Sequence, residues 1–190
     1  MSRKAAYQES LKQDILRQTL AIAGEEGWPN VSTRKIADRL QTSTTAIYHY
    51  FGGKEAILIE LQRDGFRRLH DVQAAALAIH PDDPEQQLVD VSLAVLQFAY
   101  EYPELYAVMF SLDGVSCHSN DAVEEMAATG DMLKAILAKL TKQDVHSVLA
   151  HWGATIQGFV AMARNESSPG ADERFKQYVT ESMQRFVKGL

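Results

Sequence analysis

Apolar positions in this chain fall three and four residues apart over long stretches, the spacing that lines one face of an α-helix. Turn formers are sparse and clustered, so the pattern predicts an all-α protein divided by short breaks. A first helix is predicted from about Gln8 to Glu26, with Leu11, Ile15, Leu16, Leu20, Ile22 and Ala23 on its apolar face. Gly27 is a natural C-cap and Pro29 prevents continuation, while residues 1–7, with Arg3 and Lys4, form a loose arm. After Gly52-Gly53 a long helix is predicted from Lys54 to about Ala78, with Ile57, Leu58, Leu61, Gly65, Leu69 and Val72 inward. Its length of about 24 residues spans roughly 36 Å, enough for a rigid rod joining two domains. Pro81, Asp82, Asp83 and Pro84 break the chain.

Four more segments and a loop follow. Glu85 to Tyr100 packs Leu88, Val91, Val95, Phe98 and Ala99; Pro103 then starts a short helix over Glu104 to Leu112. Residues 113–120 form a polar loop, and Asp121 caps a helix packing Val123, Met126, Leu133, Leu137 and Leu140. Two strongly amphipathic helices close the chain. Asp144 to about Asn165 aligns Val145, Val148, Leu149, Trp152, Ile156, Phe159, Val160 and Ala163; Ala171 to Lys188 aligns Phe175, Tyr178, Val179, Ser182, Met183, Phe186 and Val187.

Residues 31–57, VSTRKIADRLQTSTTAIYHYFGGKEAI, read as two short helices, a tight turn and the start of a third. Ser32 caps the first, which buries Ile36, Ala37 and Leu40; Gln41-Thr42 makes the turn; Ser43 caps the second, which buries Ala46, Ile47 and Phe51. Trp28 and Val31 close a small core beneath them. Left outside are Thr33, Arg34, Lys35, Thr44, Thr45, Tyr48, His49 and Tyr50, whose hydroxyls, cations, imidazole and phenols suit phosphate oxygens and base edges. Such a pair fits a helix-turn-helix.

The runs Thr33-Arg34-Lys35-Ile36-Ala37, Ser43, Tyr48-His49-Tyr50-Phe51 and Lys54-Glu55-Ala56-Ile57-Leu58 resemble the DNA-binding signature of the TetR family of bacterial transcriptional regulators. About a quarter of the chain carries this likeness. One departure stands out: the family's turn has Gly and an apolar residue where this chain has Gln41 and Thr42. A left-handed backbone costs a non-glycine residue roughly 1–2 kcal/mol, which favours a remodelled turn. Farther on, Tyr102-Pro103-Glu104-Leu105-Tyr106, Met109-Phe110, His151-Trp152-Gly153 and Gly158 resemble the C-terminal domain of one TetR subgroup, the Trp-His-Gly type. The resemblance implies an N-terminal three-helix helix-turn-helix domain over residues 1–54. A long helix joins it to a ligand-binding and dimerisation domain over residues 55–190.

Charge supports that division. Residues 1–80 hold 11 Lys/Arg against 9 Asp/Glu, a net of +2; residues 81–190 hold 8 against 16, a net of −8, which together make the −6 of the whole chain. Duplex DNA repels an acidic surface, so the N-terminal part is the contact face. No apolar run approaches the 18 or so residues of a membrane span. The N-terminus lacks the apolar core of a signal peptide, and one Cys cannot form an internal disulfide; both fit a cytoplasmic protein.

The family resemblance places Ser43, Thr44, Thr45, Tyr48 and His49 at the major groove of a double-stranded operator, and Thr33, Arg34, Tyr50 and Lys54 on phosphates. Tyr48 and Tyr50 also suit a partly core position. Short hydroxyls read bases weakly, so specificity calls for two half-sites and a homodimer on a palindrome. His151, Thr155, Gly158 and Met162 with Tyr178, Ser182, Arg185 and Phe186 form the candidate dimer surface, and the same faces also suit core edges within one subunit. Phe98, Tyr102, Tyr106, Met109, Phe110, Trp152 and Phe159, with Gln157 as polar anchor, are candidates for binding a small, largely apolar effector, although apolar residues at helical spacing are usually core. Such an effector would shift the rod and change the spacing of the recognition helices, relieving repression.

No cofactor or metal is expected. Cys117-His118 lacks a spaced second pair, and His146 and His151 lie five apart, on different sides of a helix. No Gly-rich phosphate loop, serine elbow or carboxylate pair beside a His points to an enzyme. The competing class is a helical ligand-binding or scaffolding protein without DNA binding, for which Gln41-Thr42 speaks.

Overall fold

The computed structural model describes residues 3–112 and 123–190, and among these it contains helices and no strand. The helices are α1 (Arg3–Glu26), α2 (Thr33–Arg39), α3 (Thr44–Phe51), α4 (Lys54–Leu77), α5 (Pro84–Glu101), α6 (Pro103–Met109), α7 (Val123–Leu140), α8 (Val145–Arg164) and α9 (Ala171–Lys188). A short 3-10 turn, Trp28–Asn30, follows α1. The all-α class stands. The expected arm does not: residues 3–7 are already helical, because Ala5, Ala6 and the residues after them favour helix and nothing before Gly27 breaks it. Asp121, Cys117 and His118 lie outside the described residues.

Two compact units form, residues 1–65 with 104–122 and residues 66–103 with 123–190. In the first, Ile15, Ile22, Ile36, Ile47 and Ile57 are fully buried, and Trp28 and Val31 close the core as expected. Helix α6 joins this unit through close contact with α4. A Cβ added to Gly65 would lie 2.5 Å from the Met109 sulfur, and Gln62 Nε2 donates to the Val108 carbonyl at 2.9 Å. Any larger residue at position 65 would force the buried Met109 side chain to move. An ion cluster ties α1 to α2: Lys35 Nζ reaches Glu26 at 2.5 Å, and the Arg39 guanidinium reaches Glu25 at 2.6 Å and Glu26 at 3.0 Å. Hydrogen bonding from Arg39 holds the Glu25 carboxyl below its usual range, and Lys35 does the same for Glu26.

In the second unit α5 runs against α7, α8 and α9. Leu88, Val91, Val95 and Phe98 of α5 are buried with Val148, Trp152, Ile156 and Val160 of α8 and Phe175, Val179 and Met183 of α9. Trp152 Nε1 donates to Ser92 Oγ at 2.9 Å, and that hydroxyl donates to the Leu88 carbonyl at 2.6 Å, so the indole and the hydroxyl inside this core are paired. Asp144 caps α8 by accepting from the backbone N–H of His146 and Ser147. Met126, expected inside, is 49% exposed, whereas Ile136 of the same helix is buried. Periodicity gives a side chain's direction on the helix, not whether a neighbour reaches that turn.

Candidate nucleic-acid interface

The candidate residues lie on or just before α2, α3 and α4, all within the first unit. Ser32 Oγ accepts from the Lys35 N–H at 3.3 Å and starts α2, which buries Ile36 and Ala37. Helix α2 ends with two interlocked bonds, Thr42 N–H to the Ala37 carbonyl at 3.0 Å and Gln41 N–H to the Asp38 carbonyl at 3.2 Å. This is the Schellman pattern, and Gln41 supplies its left-handed residue with φ 51°. The expected remodelling does not occur. Two hydrogen bonds that satisfy the last carbonyls of α2 offset the strain at Gln41, and the turn keeps its left-handed form without glycine.

Ser43 Oγ then accepts from the Ala46 N–H at 3.1 Å and opens α3. Of the eight residues of α3, Ile47 alone is fully buried. Thr44, Thr45, Tyr48 and His49 are exposed, as is Ser43 before them, and Tyr50 is half-buried. Tyr48 is 55% exposed. The His49 and Tyr50 rings meet edge-to-face with centroids 5.2 Å apart. Gly52 closes α3 at φ 73°, and Gly53 follows at φ 143° with Tyr48 Cε1 only 3.4 Å from where a Cβ would stand. Lys54 opens α4, and its ammonium donates to the Trp28 carbonyl at 3.5 Å. Burial lowers the Lys54 pKa below the ordinary lysine value. Thr33 is half-buried at the start of α2, and the Arg34 side chain, 87% exposed, lies 3.9 Å from Asp38. All nine residues expected on DNA therefore belong to one unit and lie on or beside its exposed helix ends.

A further wall was not visible in the sequence. Helix α1 brings Gln8, Glu9 and Lys12 beside His49 and Tyr50 around a groove of about 430 Å³. These residues are some forty positions apart in the chain, so no local pattern marks the groove.

The other expected sites are distributed differently. On α8 and α9, His151, Gly158, Met162, Tyr178 and Arg185 are exposed, while Thr155, Ser182 and Phe186 are half-buried. Of the aromatic set expected around an effector, Tyr106, Met109 and Phe110 belong to the first unit, and Phe98, Tyr102, Trp152, Gln157 and Phe159 to the second. Phe98, Tyr106, Met109 and Trp152 are buried, Tyr102 is 39% exposed, and Phe110, Gln157 and Phe159 are half-buried. Rings pair at 4.6 Å for Tyr106 with Phe110 and at 5.1 Å for Phe98 with Tyr102, and the Arg68 guanidinium lies 5.9 Å from the Tyr102 centroid. Among the described residues no three His, Cys, Asp or Glu side chains converge as a metal site, and no helix is long and apolar enough to cross a membrane.

Residues 15–61 match the family described as bacterial regulatory proteins, tetR family, and residues 88–186 match the tetracyclin repressor-like C-terminal domain. The chain belongs to the TetR family. Among sequence relatives, the HTH-type transcriptional regulator BetI of Rhizobium meliloti is 28% identical over 110 residues, 57% of this chain and 54% of the relative. The HTH-type transcriptional repressor NicS of Pseudomonas putida is 22% identical over 56% of this chain and 50% of its own length. The chain thus spans about half the length of the curated relatives it matches. Among solved structures, the TetR family regulator PfmR of Thermus thermophilus superposes with a TM-score of 0.69 at 22% identity, covering 90% of this chain and 97% of that one. That likeness establishes the shared fold.

Proposed function

We propose that this TetR-family chain is a DNA-binding transcriptional regulator, a ligand-responsive repressor that grips a palindromic operator as a homodimer. The observation that carries the reading is α3: one buried isoleucine anchors it, and the hydroxyls, phenol and imidazole of its other face are open to water. Ser43, Thr44, Thr45, Tyr48 and His49 serve the major groove, and Thr33, Arg34, Tyr50 and Lys54 hold phosphates. Lys54 suits that role because the ammonium stands at the N-terminus of α4, where helix and side chain both attract an anion. A phosphate also relieves the desolvation that lowers its pKa.

Residues 1–54 supply the DNA-binding domain and residues 55–190, of the Trp-His-Gly subgroup type, the ligand and pairing functions. The exposed faces of α8 and α9 around Gly158, Met162 and Tyr178 pair two subunits, because they leave apolar side chains in water. A small, largely apolar effector binds in the second unit, among Phe98, Tyr102, Trp152, Gln157 and Phe159. Its binding changes the spacing of two recognition helices that must match a DNA turn of roughly 34–36 Å.

Fluorescence polarisation with duplexes from the DNA flanking its own gene tests the reading. The expected result is tight binding to one fragment, weaker salt-sensitive binding to the rest, and a stoichiometry of two chains per site. A folded protein that prefers no fragment at low salt would instead be a helical ligand-binding or scaffolding protein. An effector role fails if a broad lipophilic library leaves operator affinity unchanged.

A further inference from the structure

We propose that Lys12 of α1 binds a backbone phosphate of duplex DNA beside the C-terminal end of the recognition helix, so that the contact row extends beyond the helix-turn-helix. The inference rests on the DNA-binding reading above and names a contact that neither the motif nor the family match supplies. Lys12, Gln8 and Glu9 on one side and His49 and Tyr50 on the other line a single groove. A neighbouring groove of about 440 Å³ shares Glu9, Lys12 and Tyr50, so the Lys12 side chain stands where the two open together.

Most other described cations of α1 to the start of α4 are engaged. Arg17 pairs with Asp14, Lys35 with Glu26 and Arg39 with Glu25 and Glu26, while Lys54, whose bond to the Trp28 carbonyl leaves its charge free, already holds a phosphate in the reading above. Arg34 lies at the edge of pairing distance from Asp38. Lys12 is exposed and has no ion-pair partner among the described residues. An unneutralised ammonium, a phenol and an imidazole around one groove offer a phosphodiester charge and hydrogen-bond donors together. The groove begins where α3 ends, at the place where a helix lying in a major groove meets the flanking backbone. Glu9 opposes the phosphate from the same groove, and Gln13 Nε2 donates to its carboxylate at 3.1 Å. The lysine and the glutamate are therefore expected to act with opposite signs.

The test measures dissociation constants for a mixed-sequence duplex of about 30 base pairs, long enough for two half-sites, across a salt series. Wild type, Lys12→Gln, Lys12→Arg, Glu9→Gln and Arg17→Gln are compared, with thermal melts to check folding. Lys12→Gln is expected to weaken binding several-fold and to reduce the slope of log affinity against log salt by about 0.9 for each bound subunit. Lys12→Arg retains the slope, Glu9→Gln tightens binding about twofold as one repulsive charge is removed, and Arg17→Gln, whose charge is already paired, leaves binding unchanged. A wild-type slope in Lys12→Gln, or an equal loss in Arg17→Gln, overturns the Lys12 contact and leaves DNA binding intact. No duplex binding by wild type at low salt overturns both.

Discussion

The uncovered face of α3 in one unit and those of α8 and α9 in the other differ in chemistry. The outer face of α3 shows threonine hydroxyls, a phenol and an imidazole. The outer faces of α8 and α9 show Met162 at 60% exposure, Tyr178 at 46%, and Gly158 with open space where a Cβ would stand. Polar groups left in water keep their hydrogen bonds until a partner replaces them, so the role proposed for the first face is to exchange water for phosphate oxygens and base edges. Apolar area left in water gains about 25 cal/mol for each Å² a partner covers. The first face is suited to selecting a partner and the second to holding one.

The sharpest way to break this contrast is to fill the space at Gly158. A Cβ at Gly158 has no neighbour within 4 Å, and Gly158→Arg adds a better helix former on an exposed face, so the fold is expected to be retained. Sedimentation is expected to show a monomer, and operator affinity should fall about 100-fold as the second half-site is lost. A dimer surviving this change would remove α8 from the pairing surface. On the other face, Lys54→Ala should weaken all duplexes alike and lower the salt slope by about 1, whereas Thr45→Ala should alter which bases are tolerated by about 1 kcal/mol. Competition among operator variants separates the two, and a reversed outcome would exchange their roles. The smallest effect is expected at the turn between the helices. Gln41→Gly relieves a left-handed residue and should raise stability by about 1 kcal/mol in denaturant titrations; a loss would mean that the Gln41 side chain contributes more than its backbone strain costs.

The helix-turn-helix was legible because its signals are local. Ser32, Ser43 and Asp144 each precede a helix and accept its first free N–H groups, and α9 begins and ends where the apolar stripe does. Gln41 was misjudged because propensity prices the backbone conformation alone, while the two bonds that close α2 are a property of the folded turn. The aromatic set was chosen by side-chain type, which carries no information on the units into which the fold divides it. Yet Tyr102 and Tyr106, four residues apart, fall in different units, because Pro103 starts a new helix that joins α4 and α1 instead of continuing α5. The wall that α1 adds beside His49 was illegible for the opposite reason, being made entirely by tertiary contact.

The two tryptophans fall one to each unit, and they differ in their polar surroundings. Trp28 is buried with its indole N–H unpartnered among the described residues, whereas Trp152 is buried and donates to Ser92. Each unit thus carries its own intrinsic fluorophore, with a distinct emission expected from each. Replacing one or the other by Phe yields two single-emitter proteins, in which loosening of the first unit and of the second can be followed separately, without an added dye.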